Sequence, residues 1–176
     1  ASLYSQMTPS APIKNFRLPR FGDNGYTQWM LLGEQGIYDR DEQVSVQEMA
    51  MRIYSGDQRM ALELSMDSPE GMLLLQENRG YSESPITIVG ANFKISGIGW
   101  EWSGDTKEII VKQDAVVKFT QGIAGAFGDI GETNTDGDLS DTEIHSDHLV
   151  LRTTVEEYYF EFTGSVHAVS DQMDLK

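Results

Sequence analysis

The amino-acid sequence predicts an all-β domain with little or no helix, formed by a curved, rolled antiparallel sheet. Apolar and polar residues alternate in short segments along most of the chain, as they do in strands with one face on a core and one in water. Clusters of Gly, Pro, Asn, Asp and Ser separate these segments and indicate turns. A strand–turn–strand pattern at residues 99–119 is loosely repeated at 147–169, and such hairpins bury their apolar faces by folding over one another.

The first predicted strand covers residues 26–38 and follows a turn at 22–25, where an Asn-Gly pair accepts positive φ. Trp29 and Leu31 fall on one face of this strand. Residues 43–54 are predicted as the next strand. A helix is the competing interpretation there, because the middle of the segment has helical propensity, but its β-branched and aromatic flanks favour a strand.

Residues 60–66 alternate cleanly and predict a strand, which is followed by a turn at 68–71 and another strand at 72–75. The longest alternating stretch is 86–119. The sequence Gly-Ile-Gly at 97–99 predicts a β-bulge or a close sheet contact, because the helix that a phosphate-binding loop needs does not follow it. The residues expected to share one face in the first part of this stretch are Ile86, Ile88, Phe93, Ile95, Ile98, Trp100 and Trp102.

A single domain is expected over residues 16–176, after an extended lead-in at 1–15 that lacks a hydrophobic period. Residues 120–141 hold five glycines among acidic and threonine residues, and predict a long loop or an insertion. The strand pattern resumes at 143–168.

The composition excludes several classes of function. A net charge of −15 and a pI near 4.4 repel phosphate backbones, so no nucleic-acid partner is expected. The sequence contains no cysteine, which excludes disulfides, thiolate catalysis and cysteine–zinc sites. No apolar run approaches the roughly 18 residues of a membrane-spanning helix.

Two groups of motifs resemble a known family. The pattern F-x4-F-x-D-N-G at residues 16–25, followed by W-x-L at 29–31, is similar to the opening of the LptC family, in which an Asp-x-x-Gly turn precedes an aromatic-x-Leu strand. The pattern T-x-I-x-S-D-x-L at 142–149, followed by F-x-G-x-V at 162–166, is similar to the repeat of the related OstA-like proteins, LptA among them.

The resemblance implies an open β-jellyroll in the periplasm that takes part in lipopolysaccharide transport. Proteins of this family hold lipid acyl chains on an apolar inner face and join other sheets edge to edge. The implied partners are lipopolysaccharide or another acylated lipid, other β-jellyroll transport proteins and an inner-membrane ABC transporter. Anchoring to the inner membrane by a segment before residue 1 is compatible with this expectation.

The candidates for lining an acyl-chain site are apolar residues of the predicted strands. Alternation is also the mark of any half-buried sheet, so an ordinary filled core is the competing interpretation. The candidates are Trp29, Leu62, Leu64, Leu75, Ile88, Phe93, Ile95, Trp100, Trp102, Val117 and Phe119.

Residues 132–143 nearly match the spacing of a calcium-binding loop, E-x-N-x-D-G-x5-E. Glutamate replaces the usual aspartate at the first position and no exit helix is predicted, so a solvated acidic loop is favoured over a metal site. The alternative function is a calcium-binding carbohydrate-binding or adhesive β-domain. Its ligands would come from Glu132, Asn134, Asp136, Asp138 and Glu143.

No catalytic residue is assigned, and no cofactor is expected. A glycoside hydrolase needs only two facing carboxylates, and it is the less favoured enzymatic alternative because 28 acidic residues produce such pairs by chance. His145 and His148 fall on opposite faces of a predicted strand, so they are not expected to share a metal ion.

Overall fold

The computed structural model describes residues 11–39, 42–120, 142–154 and 157–169. These residues form eleven antiparallel strands in one sheet, and no helix occurs among them. The predicted all-β class, with an open and curved sheet, is confirmed. The strands are β1 (Ile13–Phe21), β2 (Thr27–Tyr38), β3 (Gln43–Tyr54), β4 (Leu62–Leu74), β5 (Arg79–Val89), β6 (Phe93–Ser103), β7 (Glu108–Phe119), β8 (Glu143–Ser146), β9 (His148–Thr153), β10 (Tyr158–Thr163) and β11 (His167–Val169).

The sheet is a meander in which β1 to β7 pair in chain order. Beyond β7 the sheet divides: β8 pairs with residues 115–118 of β7, and β9 pairs with residues 108–111. β11 then pairs with β8, and β10 with β9. Within the described part of the chain, β1 forms one unpaired edge of the sheet, and β10 and β11 together form the other, so the sheet does not close.

β-Bulges interrupt the pairing near the middle of the long strands. The register shifts at residues 67–72 of β4, 82–85 of β5 and 96–98 of β6. A bulge bends its strand and increases its twist. Because these bulges lie side by side across neighbouring strands, they fold the sheet into two halves.

We call the two halves the β8 half and the β9 half, because β8 belongs only to the first and β9 only to the second. The β8 half comprises β8, β11 and residues 27–32, 49–54, 62–67, 86–89, 93–96 and 115–119. The β9 half comprises β9, β10 and residues 35–38, 43–47, 71–74, 79–82, 100–103 and 108–111. Their inner faces pack together, as where Trp29 of the β8 half meets Trp102 of the β9 half edge to face, with ring centroids 5.7 Å apart.

The core lies between these inner faces and is apolar. Full burial of a large apolar side chain contributes about 1.5–3 kcal/mol to stability, so this layer of side chains holds the folded sheet together. Its largest fully buried members are Trp100, Phe93, Phe119, Leu31, Met49, Met51, Leu64, Met66, Leu73, Ile88, Ile95 and Leu149.

The turn predicted at residues 68–71 is wrong, because these residues continue β4 through a bulge. Ser68 is buried, and its hydroxyl lies 2.8 Å from the carbonyl oxygen of Pro85. Pro69 is exposed at the bulge, where a proline costs no ladder hydrogen bond. The Ser-Pro-Glu-Gly sequence therefore bends the strand without ending it.

The predicted face of Ile98 is also wrong, since this side chain is 42% exposed while Trp100 and Trp102 are buried. The bulge predicted at 97–99 is confirmed by the register shift and by a φ of +75° at Gly99. The extra residue of the bulge shifts the alternation by one position. Phe93 and Ile95 therefore face inward before the bulge, and Trp100 and Trp102 face inward after Gly99.

Residues 43–54 form one strand, β3, so the strand prediction is confirmed. Val46 and Met49 both face the core although three positions separate them, because Glu48 adopts a φ of +50° and shifts the alternation. β1 begins at Ile13, so the last residues of the predicted lead-in belong to the sheet. Residues 1–10 lie outside the described residues, as does the predicted 120–141 loop apart from Thr120.

Candidate functional site

The structure brings most of the candidate lining residues together in the core between the two halves. Nine of the eleven have at most 4% of their surface exposed and belong to one apolar cluster. They contact other side chains of the chain itself, so the interior is filled in this state. The nine are Trp29, Leu64, Ile88, Phe93, Ile95, Trp100, Trp102, Val117 and Phe119.

The other two candidates lie at the margin of the sheet. Leu62 is 54% exposed, contrary to the expectation that it shares the buried environment of Leu64. It is the first residue of β4 and pairs with Tyr54 of β3, whereas the pairing with β5 starts only at Ser65, so β5 does not flank it on the other side. Leu75 follows the last residue of β4 and is half-buried against the core.

A cleft of about 140 Å³ opens between the ends of the two halves. Its apolar wall consists of Trp29, Ile53 and Leu64 from the β8 half, with Trp102 and Ile109 from the β9 half. An apolar cavity of about 150 Å³ accommodates benzene. The cleft is therefore large enough for the end of one alkyl chain and too small for several chains.

Asn78 ties the walls of this cleft together. Trp29 Nε1 donates to Asn78 Oδ1 over 3.0 Å, and Asn78 Nδ2 donates to Asp105 Oδ1 over 3.0 Å. Asn78 is buried in the turn after β4 and has a φ of +55°, a conformation that asparagine tolerates better than most residues. Asn78 is not among the residues predicted from the sequence. A turn asparagine between two strands is its only sequence signal, and its tryptophan partner is 49 positions away.

Two opposite charges, Glu63 and Lys107, lie among the lining residues of the cleft. Burial raises the pKa of the Glu63 carboxyl, while the positive charges of Lys107 and Arg59 act in the opposite direction. Burial also raises the pKa of the Tyr158 hydroxyl, and the charge of Glu63 adds to this effect. Glu63 is thus a partly desolvated carboxyl at the edge of an apolar cleft.

Replacing Glu63 by glutamine is expected to stabilise the protein at pH 7, by on the order of 0.5 kcal/mol after solvent screening. Burial raises the folded-state pKa above the unfolded value of 4.5, so the folded protein disfavours the charged carboxylate at neutral pH. This penalty disappears once the pH falls below the unfolded pKa. Thermal denaturation at pH 7 and near pH 4 measures both states. A gain that is larger near pH 4 would contradict the assignment.

Only Glu143 of the candidate calcium ligands belongs to the described residues. Its carboxylate lies 3.1 Å from His145 Nε2 and 4.0 Å from Lys118 Nζ. The His145 ring stacks on His167 of β11, with centroids 4.9 Å apart. Across the described ranges, no group of three His, Cys, Asp or Glu residues is arranged to hold a metal ion.

No family model and no curated protein matches this sequence. In the part of the chain that the structure describes, no helix is long and apolar enough to cross a membrane. The likeness to the LptC and OstA-like proteins therefore remains a prediction from the sequence motifs.

Proposed function

We propose that this chain is a non-enzymatic component of lipid transport that binds the acyl chains of lipopolysaccharide, or of another acylated lipid, between the halves of its folded sheet. The cleft is the observation that carries this proposal. It leads from the surface to an apolar interior, and Trp29 and Trp102 lie where a chain would enter.

Binding of a whole acyl chain requires the two halves to separate, because the interior is filled by its own side chains. Each methylene removed from water contributes about 0.8 kcal/mol. A chain that inserts ten methylenes therefore gains roughly 8 kcal/mol before costs, which offsets part of the contact energy lost between the halves. A sheet folded along bulges, with two free edges, can open in this way without losing its strand pairing.

The free edges suit the transfer role that the motif resemblance implies. Within the described residues, β1 at one edge of the sheet, and β10 and β11 at the other, have unpaired backbone groups on one side. Such edges can be extended by a strand of another protein. The proposed partners are other β-jellyroll transport proteins and an inner-membrane ABC transporter, in the periplasm.

The cleft gives no comparable support to a glycoside hydrolase. Among the described residues that line it, Glu63 is the only carboxylate, whereas that chemistry uses two facing carboxyl groups. The calcium-dependent alternative depends mainly on residues outside the described ranges.

Photocrosslinking to purified lipopolysaccharide tests the proposal. A benzoylphenylalanine that replaces Trp102, in the cleft wall, is expected to crosslink the lipid. The matched control replaces Lys94, an exposed residue of the same strand that points away from the core, and is expected to give none. Circular dichroism establishes that both variants are folded. Equal crosslinking from both positions, or none from a folded Trp102 variant, would contradict the proposal.

A further inference from the structure

We propose that β10 is a closing strap: its Tyr158 and Phe160 side chains cover the apolar interior, and an entering alkyl chain displaces them. The identity of the entering ligand rests on the proposed function, whereas the closing role of β10 does not. The occupant of this part of the interior is thus a segment of the chain itself until a lipid replaces it.

β10 lies at the rim of the β9 half and, within the described ranges, pairs only with β9. Its side chains alternate between half-buried and exposed, with Tyr158, Phe160 and Phe162 on the inner side. Half-buried residues at a sheet edge open at lower free-energy cost than fully buried ones in a central strand. β10 is therefore the strand of this half that is most easily moved.

The inner side chains of β10 contact the β8 half through aromatic rings. The Phe160 ring lies edge to face on Phe93, with centroids 5.1 Å apart, and on Phe119 at 5.5 Å. Tyr158 packs on the same Phe93 ring at 5.0 Å. Phe93 and Phe119 are each only 1% exposed. Movement of β10 would uncover both rings, which are among the candidate lining residues.

A hydrogen bond connects the strap to the opposite half. The Tyr158 hydroxyl donates to the backbone carbonyl of Glu63 over 3.2 Å, at the start of β4, before the pairing with β5 begins. Glu63 also lines the cleft, and so does Thr153, which pairs with Tyr158 in register. The fastening point is thus at the margin of the cleft. Release of Tyr158 would extend the cleft toward Phe93.

Two adjacent tyrosines provide a matched pair of variants. Tyr158→Phe removes the hydroxyl that bonds across to Glu63, whereas Tyr159→Phe removes one that bonds to the nearby Glu157 carboxylate over 2.6 Å. The chain has no cysteine, so a Val117→Cys substitution supplies a single reporter thiol in the interior, on the same face of β7 as Phe119. The rate at which maleimide labels this thiol under native conditions measures local opening.

We expect Tyr158→Phe to raise the labelling rate roughly fivefold, as the loss of one hydrogen bond predicts, and Tyr159→Phe to leave it unchanged. Urea titration of the labelling rate separates strap opening from global unfolding, since local opening depends weakly on urea. Equal effects of the two substitutions on the labelling rate would contradict the closing role of β10. So would a labelling rate with the urea dependence of global unfolding in every variant.

A fatty acid with a brominated chain provides the second measurement, through quenching of the three tryptophans. Faster quenching in Tyr158→Phe than in Tyr159→Phe supports displacement of the strap by an alkyl chain. If thiol labelling is faster in Tyr158→Phe alone but no quenching occurs, the closing role of β10 is supported and lipid binding is contradicted. Quenching with no difference in thiol labelling supports lipid binding and contradicts the strap.

Discussion

Replacing Trp100 by alanine is expected to lower the free energy of unfolding by about 4 kcal/mol, the range for deletion of a buried aromatic side chain. Trp100 is fully buried, and its Nε1 donates to Ser68 Oγ over 3.1 Å. Gly71 lies against the ring: a Cβ at this position would come within 3.1 Å of Trp100 Cζ2 and 2.6 Å of Met49 Sδ. The site is packed too closely to collapse around the missing ring.

Urea denaturation followed by circular dichroism measures this loss. Ser68→Ala tests the polar part separately, because it leaves the buried indole N–H without its acceptor and should cost about 1–3 kcal/mol. Tyr81→Ala is the surface control, since Tyr81 is 40% exposed, and should change stability by about 0.5 kcal/mol or less. A Trp100→Ala effect no larger than that of Tyr81→Ala would contradict the packing described.

The inward and outward faces of the strands could be predicted because burial on one face imposes a period of two on the sequence. In β2 the alternation holds from Thr27 to Gly33, and Trp29 and Leu31 are buried as expected. The sequence predicts a strand at residues 43–54 despite helical propensity at their centre, and β3 confirms it. Neighbouring strands decide such cases, since β propensity reflects packing on a sheet.

From the sequence, a bulge could be predicted only where glycine residues indicate it. Gly97 and Gly99 indicate the bulge in β6, whereas Glu48 of β3 adopts positive φ although glutamate does not favour this conformation. A bulge reverses the face of every residue beyond it. In β6 this reversal follows Ile98, between Gly99 and Trp100, whereas the predicted face places it before Ile98. Ser68 and Pro69 are residue types typical of turns, so they predict a turn at a place where β4 continues.

The fold of one half over the other is a tertiary property that has no local signal. It joins Trp29 to Asn78, and Tyr158 to Glu63, which are 49 and 95 positions apart. Sequence alternation therefore identified the apolar face but did not distinguish an open groove from a filled core. The structure resolves this for the described residues: the face is filled by the chain's own side chains, apart from the cleft between the ends of the two halves.

Replacing Asn78 by alanine is expected to cost about 3 kcal/mol, since it leaves the buried Trp29 N–H unsatisfied and puts a Cβ-bearing residue without a polar side chain at positive φ. Asn78→Asp is the isosteric test. It keeps an acceptor for Trp29 but replaces the donor to Asp105 with a second carboxylate.

The two facing carboxylates of Asn78→Asp cannot both be charged without repulsion, so their protonation becomes more favourable in the folded state. Stability lost at pH 7 should therefore be partly recovered near pH 4, whereas the loss in Asn78→Ala should not depend on pH in this range. Denaturation of both variants at the two pH values measures the difference. The same substitutions should loosen the Trp29–Trp102 contact and speed quenching by a brominated fatty acid, because Asn78 holds one wall of the cleft to the other. A pH-independent loss in Asn78→Asp would mean that Asp105 does not face this position in solution.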